Sequence, residues 1–324
     1  MHARYLIQNS LALLVCLLAT GVAVGQQYPS KPVRIVLPFG APGGAPDITA
    51  RLMAPKLTEA WGQQIVIDPR VGAGGTIGTE AVFNSAPDGY TLLLTSPSHA
   101  INATLYPKLP YDAVTDFIPI SKLVEVPNIL IIHPSLPART VKQLIALAKS
   151  KPGILNYGSA GSGSSQHLAG ELFKKMAGVN MVHIPYKGAG GAVVDLIAGQ
   201  LQLTFGSSTA MPYVRSGRLV ALAVTSAQRV SSLPDLPTIA ESGLPGYEAA
   251  AWYAMYAPAR TPKAIVDKVQ AEVSRILRLP DVRERLIFET IQPVGSTGAE
   301  LAEFLKREIV KWGAIIKESG AKVD

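Results

Sequence analysis

Five short apolar runs in this chain are each followed by a loop of Gly, Ser, Thr and Pro. After residues 33–39 comes Gly40-Ala41-Pro42-Gly43-Gly44-Ala45-Pro46, and after 64–68 comes Gly72-Ala73-Gly74-Gly75-Thr76. Residues 90–95 lead into Ser96-Pro97-Ser98-His99, 155–158 into Ser159-Ala160-Gly161-Ser162-Gly163-Ser164, and 201–205 into Gly206-Ser207-Ser208-Thr209. Short apolar runs alternating with amphipathic segments predict parallel βαβ architecture. In such sheets ligands bind outside the carboxyl ends of the strands, where these loops fall.

The helices between the strands are expected at about 47–61, 79–85, 140–149, 165–177, 189–198 and 210–216. Pro55 is expected to kink or shorten the first of them. Thr140 with Gln143 forms a capping box. Beyond a Pro-rich stretch at 233–237, a strand is expected at 249–257. Thr261 as N-cap and Pro262 at the first position then open a helix to 277. The segment 299–319 is amphipathic, with Leu301, Phe304, Leu305, Ile309 and Trp312 on one face. The pattern predicts two lobes joined by strands that cross near Val126 and Thr225: 26–126 with 226–324 as lobe 1, and 127–225 as lobe 2.

The N-terminus explains the one cysteine. Arg4 is the only charge before Lys31, residues 11–24 are almost wholly apolar, and Ala23 and Gly25 suit cleavage before Gln26. Residues 1–25 therefore read as a secretory signal peptide. Val15 before Cys16 argues against lipidation. Removing the peptide takes away Arg4 and no acid, so the net charge falls from +7 to +6. The exported chain would hold no cysteine and no disulfide, which suggests the periplasm.

Several function classes are excluded. Basic residues are scattered, with no basic stretch interleaved with aromatics, so nucleic acid is not an expected partner. Gly72–Gly78 is not GxGxxG, and no GxxxxGK[ST] occurs, so no nucleotide cofactor is expected. No HExxH or paired HxH spacing suggests a metal. Gly206-Ser207-Ser208-Thr209-Ala210 comes one residue short of a GxSxG elbow, which leaves a periplasmic serine hydrolase acting through Ser208 as an alternative. His183 reads as a core position of a strand, and His167 as a cleft-lining residue beside the Ser-rich loop.

What the loops share is a supply of neutral donors. Glycine allows close backbone approach, and helix N-termini present unpaired N–H groups to an anion. Roughly four to six N–H bonds to a charged oxygen, at ~1.5–3 kcal/mol each less association costs, suffice for micromolar affinity.

At these loops the chain resembles the substrate-binding receptors of the tripartite tricarboxylate transporters, the Bug family. The resemblance rests on Tyr28-Pro29-Ser30-Lys31-Pro32-Val33-Arg34, Val71-Gly72-Ala73-Gly74-Gly75 and Ala86-Pro87-Asp88-Gly89-Tyr90. Leu105-Tyr106-Pro107-Lys108-Leu109-Pro110-Tyr111, His167-Leu168-Ala169-Gly170-Glu171, Pro185-Tyr186-Lys187-Gly188 and Leu236-Pro237-Thr238 extend it over the mature chain.

The resemblance implies a two-lobe α/β type II periplasmic-binding-protein fold with a ligand cleft between the lobes. It implies a monomeric, non-enzymatic receptor without cofactor that closes on a small organic acid and delivers it to permease subunits. Presentation to a sensor is the alternative. The ligand-binding positions it implies are Phe39, Gly43, Gly44, Asp47, Gly74 and Thr76, with Ser96, Ser98, Ser159, Ser164, His167, Ser207 and Ser208 setting specificity. Asp47 also suits a helix start, where it would cap N–H groups. Lys187 reads as a solvated loop cation or a distant attractor for the anion.

Two departures from the family pattern bear on the ligand. Three residues rather than two separate Phe39 from the Gly pair, and no acid stands near Gly206. The second argues against amino acids and for a plain carboxylate, a dicarboxylate or an aromatic acid.

Overall fold

The computed structural model describes residues 28–39, 44–186, 188–207 and 210–319. The expected signal peptide, Gly43, Lys187 and Ser208 lie outside them. The strands form two sheets. The first has six strands in the order β11-β4-β10-β3-β1-β2: β1 (Val33–Leu37), β2 (Ile65–Pro69), β3 (Thr91–Thr95), β4 (Phe117–Val126), β10 (Ala251–Pro258) and β11 (Gln292–Pro293). The second has five in the order β7-β6-β8-β5-β9: β5 (Ile129–Ile132), β6 (Asn156–Ser159), β7 (Val182–Pro185), β8 (Leu203–Gly206) and β9 (Val220–Val224). Each sheet, with its helices, is one lobe of a mixed α/β two-lobe fold.

The sheets are mixed rather than parallel. β1, β2 and β3 are parallel, as are β6, β7 and β8. β10 runs antiparallel to both β3 and β4, and β5 antiparallel to both β8 and β9. The antiparallel strands are those that carry the chain between sheets, so they enter each sheet from the opposite side to the βαβ units.

Among the described residues ten α-helices frame the sheets. Those of the first sheet are α1 (Ala45–Trp61), α2 (Thr76–Phe83), α3 (Ser98–Leu105), α8 (Lys263–Ile276), α9 (Pro280–Phe288) and α10 (Gly298–Ser319). Those of the second are α4 (Val141–Ser150), α5 (Ser165–Ala177), α6 (Ala189–Ile197) and α7 (Met211–Arg215). α1 runs unbroken through Pro55, against expectation. Pro55 is exposed, so the carbonyl that loses its partner at Arg51 faces water rather than the core.

Thr261 does not cap α8. Its hydroxyl donates to the Pro258 carbonyl at 2.8 Å, and Pro262 holds the cap position. In the capping box of α4, the Thr140 hydroxyl accepts from the Gln143 amide at 3.2 Å. The Gln143 side chain reaches one residue further back than expected, to the Arg139 amide at 2.7 Å.

α10 closes the fold. Leu301, Leu305, Trp312 and Ile315 are buried in the same apolar cluster as Leu130 and Phe205 of the second sheet and Phe173 of α5. Its end reaches α5, where Lys175 Nζ pairs with Glu318 at 2.8 Å. Within that cluster the buried Glu308 accepts the indole N–H of both Trp252 and Trp312, each at 2.8 Å, and pairs with Lys311.

The crossings between sheets are stitched to one another. The Asn128 amide donates to Thr225 Oγ1 at 2.8 Å, the Thr225 amide to the Asn128 carbonyl at 2.9 Å, and the Ala249 amide to the Thr225 carbonyl at 2.9 Å.

Candidate functional site

Three loops of the first sheet converge. Beyond β2 the backbone takes four successive positive φ values, at Gly72 (135°), Ala73 (45°), Gly74 (59°) and Gly75 (88°), before α2 begins. Gly75 is buried because the Phe39 ring, delivered by the end of β1, lies over its Cα. A side chain there would occupy the same space as the ring. Gly78 also packs closely, against Pro38 and the Arg70 carbonyl. From the third loop, the buried Asn102 of α3 donates from Nδ2 to the Gly74 carbonyl at 2.9 Å, and the Tyr106 hydroxyl lies beside the Gly74 Cα.

The remaining first-lobe positions lie on the loops and helix starts that follow β1, β2 and β3. Gly44 is the N-cap of α1, with extended φ of −74° and no side chain to cap with. Asp47 is buried in the first turn, where its charge suits the positive helix end, and it accepts from Arg51 Nε at 2.7 Å. Thr76 donates its hydroxyl to the Ala73 carbonyl at 2.9 Å, which fixes the turn from within. Ser96 and Ser98 lie with their hydroxyls 3.3 Å apart.

Residues 98–105 form a helix that was not expected and that begins inside the Ser/Pro loop, and this turns His99 into the core. Its Nε2 meets the Ala113 carbonyl at 3.0 Å, among the rings of Tyr111, Phe117 and Tyr256. Burial depresses its pKa to about 4.

On the second sheet the loop after β6 is held from within. Ser159 is fully buried, and its hydroxyl meets His183 Nε2 at 2.6 Å and the Gly161 amide at 3.1 Å. Ser164 caps α5, accepting from the His167 amide at 3.2 Å. The His167 ring turns inward, stacked on His183 with centroids 3.9 Å apart, and its Nδ1 accepts the Gly163 amide at 3.0 Å.

Below the pair, Glu171 accepts from the Tyr157 hydroxyl at 2.6 Å and from Lys174 at 2.8 Å. Burial opposes the Glu171 charge, but these two donors hold its carboxyl below the usual range. Burial lowers both histidines, His183 to about 4 with help from the neighbouring His167. Ser207 stands half-buried just beyond β8.

The loop after β6 approaches the first lobe where Gly163 lies close to the Leu105 side chain at the end of α3. Sequence reasoning missed Asn102, which lies in a helix it did not expect, and Tyr106 just past the end of that helix, and gave His183 no role beyond the core. Among the described residues no cluster of three His, Cys, Asp or Glu could hold a metal, and no helix is long and apolar enough to cross a membrane.

The profile of the tripartite tricarboxylate transporter family receptor matches residues 49–321. The chain belongs to this family. Among curated relatives, Protein BugT of Bordetella pertussis is 38% identical over 299 residues, covering 91% of each chain. Among solved structures, the R. palustris protein Rpa4515 with adipate is 38% identical with a TM-score of 0.78, covering 91% of this chain and 99% of that one. MatC of Rhodopseudomonas palustris, with bound malate, is 33% identical with a TM-score of 0.74, covering 89% and 100%. The family is one of solute-binding receptors of the periplasm, and these two members carry small dicarboxylates.

Proposed function

We propose that this Bug-family receptor captures a small organic carboxylate between its lobes in the periplasm and delivers it to a tripartite tricarboxylate-type permease. The observation that carries this reading is the convergence of three first-lobe loops opposite the Gly163 loop, at positive-φ backbone and helix N-termini that favour an anion. Residues 26–126 and 226–324 act as one lobe and 127–225 as the other, after export by a cleaved signal peptide. Closure follows from donors on both lobes: only a ligand that binds the closed form better shifts the population toward it.

The contacts proposed are backbone and side-chain groups at Phe39, Gly43, Gly44, Asp47, Gly74 and Thr76. Ser96, Ser98, Ser164, Ser207 and Ser208, on the other loops, are proposed to set specificity. The absence of an acid in Gly206-Ser207-Ser208 favours a plain carboxylate or dicarboxylate over an amino acid. Binding without turnover is favoured by the state of Ser159, a second-sheet serine found against a histidine. It has no exposed surface, and its hydroxyl is engaged by the Gly161 amide.

A thermal-shift screen tests the reading, using protein unfolded and refolded to strip any carried ligand. A ligand at ~100 times its dissociation constant adds ~2.7 kcal/mol, a rise of about 5 °C for a chain of this size. Hits confined to small carboxylates support the proposal. Hits confined to amino acids or amides refute the substrate class, and turnover of an ester dependent on Ser208 refutes the receptor.

A further inference from the structure

The loop from 159 to 164 has two glycines at positive φ, Gly161 (126°) and Gly163 (76°), and such a segment has many conformations to choose from. Two imidazoles on other elements fix it. At one end His183 of β7 holds the Ser159 hydroxyl, which in turn holds the Gly161 amide. At the other end His167 Nδ1 accepts the Gly163 amide across 3.0 Å. Each ring braces the other, since they stack at 3.9 Å and 17°.

We infer that His167 is a positioning residue of the ligand site: its ring holds the second-lobe loop in a single shape through the Gly163 amide, and it does so only while Nδ1 carries no proton. This rests on the receptor reading above. The chemistry is set by the donor. An amide N–H can bond only to a bare ring nitrogen, so the His167 proton sits on Nε2, 4.0 Å from Glu171 Oε1.

The charged and titratable groups around the pair are few. Glu171 and Lys174 come from α5 itself, His183 from β7 and Tyr157 from β6, with the Tyr247 hydroxyl bonded to the Ala169 carbonyl behind them. Lys174 already pairs with Glu171, which weakens the pull of that carboxylate for a second cation. Two charged rings in face-to-face contact would repel. Burial acts in the same direction on both histidines, so the neutral, loop-holding form is the one present near pH 7.

The test reads the tautomer and the loop directly, and needs no known ligand. In the full protein with labelled histidine, the nitrogen chemical shifts of His167 should report a bare Nδ1 and a protonated Nε2. Exchange of the Gly163 amide should be on the order of tenfold faster in His167→Leu. In His167→Asn, whose side-chain oxygen can take the place of Nδ1, it should stay within about threefold of wild type. Acidification should release the Gly163 amide in wild type beyond the ordinary pH trend of exchange, and not in His167→Asn.

Adipate and malate serve as binding probes. The loss in His167→Leu should be about tenfold, again rescued by Asn. A proton on Nδ1, unchanged Gly163 exchange in His167→Leu, or unchanged affinity in that variant overturns the inference. Should His167→Leu not fold, the wild-type tautomer and its pH response decide. Failure of both acids to bind the wild type counts against the dicarboxylate reading alone, because the exchange measurements still judge the positioning role.

Discussion

Replacing Gly75 by alanine tests how the first-lobe loops are joined. Two costs arise. At φ 88° any residue with a Cβ is strained, by ~1–2 kcal/mol. The new methyl also falls within the Phe39 ring, which must leave its place over the loop, at a further ~1–3 kcal/mol. Alanine restricts the unfolded chain and returns about 0.5 kcal/mol, so the expected loss is about 2–4 kcal/mol.

Gly62 supplies the control. It is also left-handed, at φ 66°, but nothing lies within 4 Å of its added Cβ, so Gly62→Ala bears only the strain, about 1 kcal/mol. Urea unfolding of both variants, with the denaturant slope checked for constancy, gives the difference. A double mutant with Phe39→Ala should recover much of the excess as a coupling energy. If Gly75→Ala is no less stable than Gly62→Ala, the ring does not lie where the packing argument requires.

Other predictions concern the core, the pH response and the cleft. Glu308→Ala orphans two buried indole N–H groups and should cost about 3 kcal/mol, with a changed tryptophan emission, whereas Glu308→Gln keeps an acceptor and loses roughly half as much. A loss below 1 kcal/mol for the alanine variant would rule out Glu308 as the tie between β10 and α10.

Because the folded pKa of His99 lies near 4, the unfolded chain binds its proton more readily, and stability falls as pH drops from about 6.5 toward 4. That contribution amounts to ~3 kcal/mol, and urea unfolding at pH 7 and pH 4.5 should show His99→Leu with a flatter pH response than wild type. In the cleft, Gly74→Leu should abolish carboxylate binding. Arg51→Ala, which removes only a well-exposed partner of Asp47, should leave affinity within a factor of about three.

Legibility in the sequence followed how local the deciding interaction was. α5 runs over the residues expected, 165–177, because its Ser164 cap and the Gly178 turn are local signals. α10 likewise declared its buried face through the spacing of Leu301, Leu305 and Trp312. β4 escaped notice because Pro119, Lys122 and Glu125 break up its apolar pattern. Pro119 stands beside one of two register shifts against β10, where a missing N–H is tolerated.

The antiparallel crossings depend on which sheet a strand joins, which no local window contains. The site divided in the same way. Its glycines and serines were visible as loops. The placing of Phe39 on Gly75, of Asn102 on the Gly74 carbonyl and of His167 on His183 joins residues on different elements, and these contacts exist only once the sheets have formed.

The central claim is reversible capture of a small organic acid between the lobes. The most direct test is calorimetric titration of the refolded protein with C4 to C6 dicarboxylates, followed by recovery of the acid. The account predicts one site per chain, micromolar affinity for at least one acid, loss of the heat in Gly74→Leu, and the acid returned unchanged. Heat that persists in Gly74→Leu, or an acid chemically altered on recovery, would contradict it.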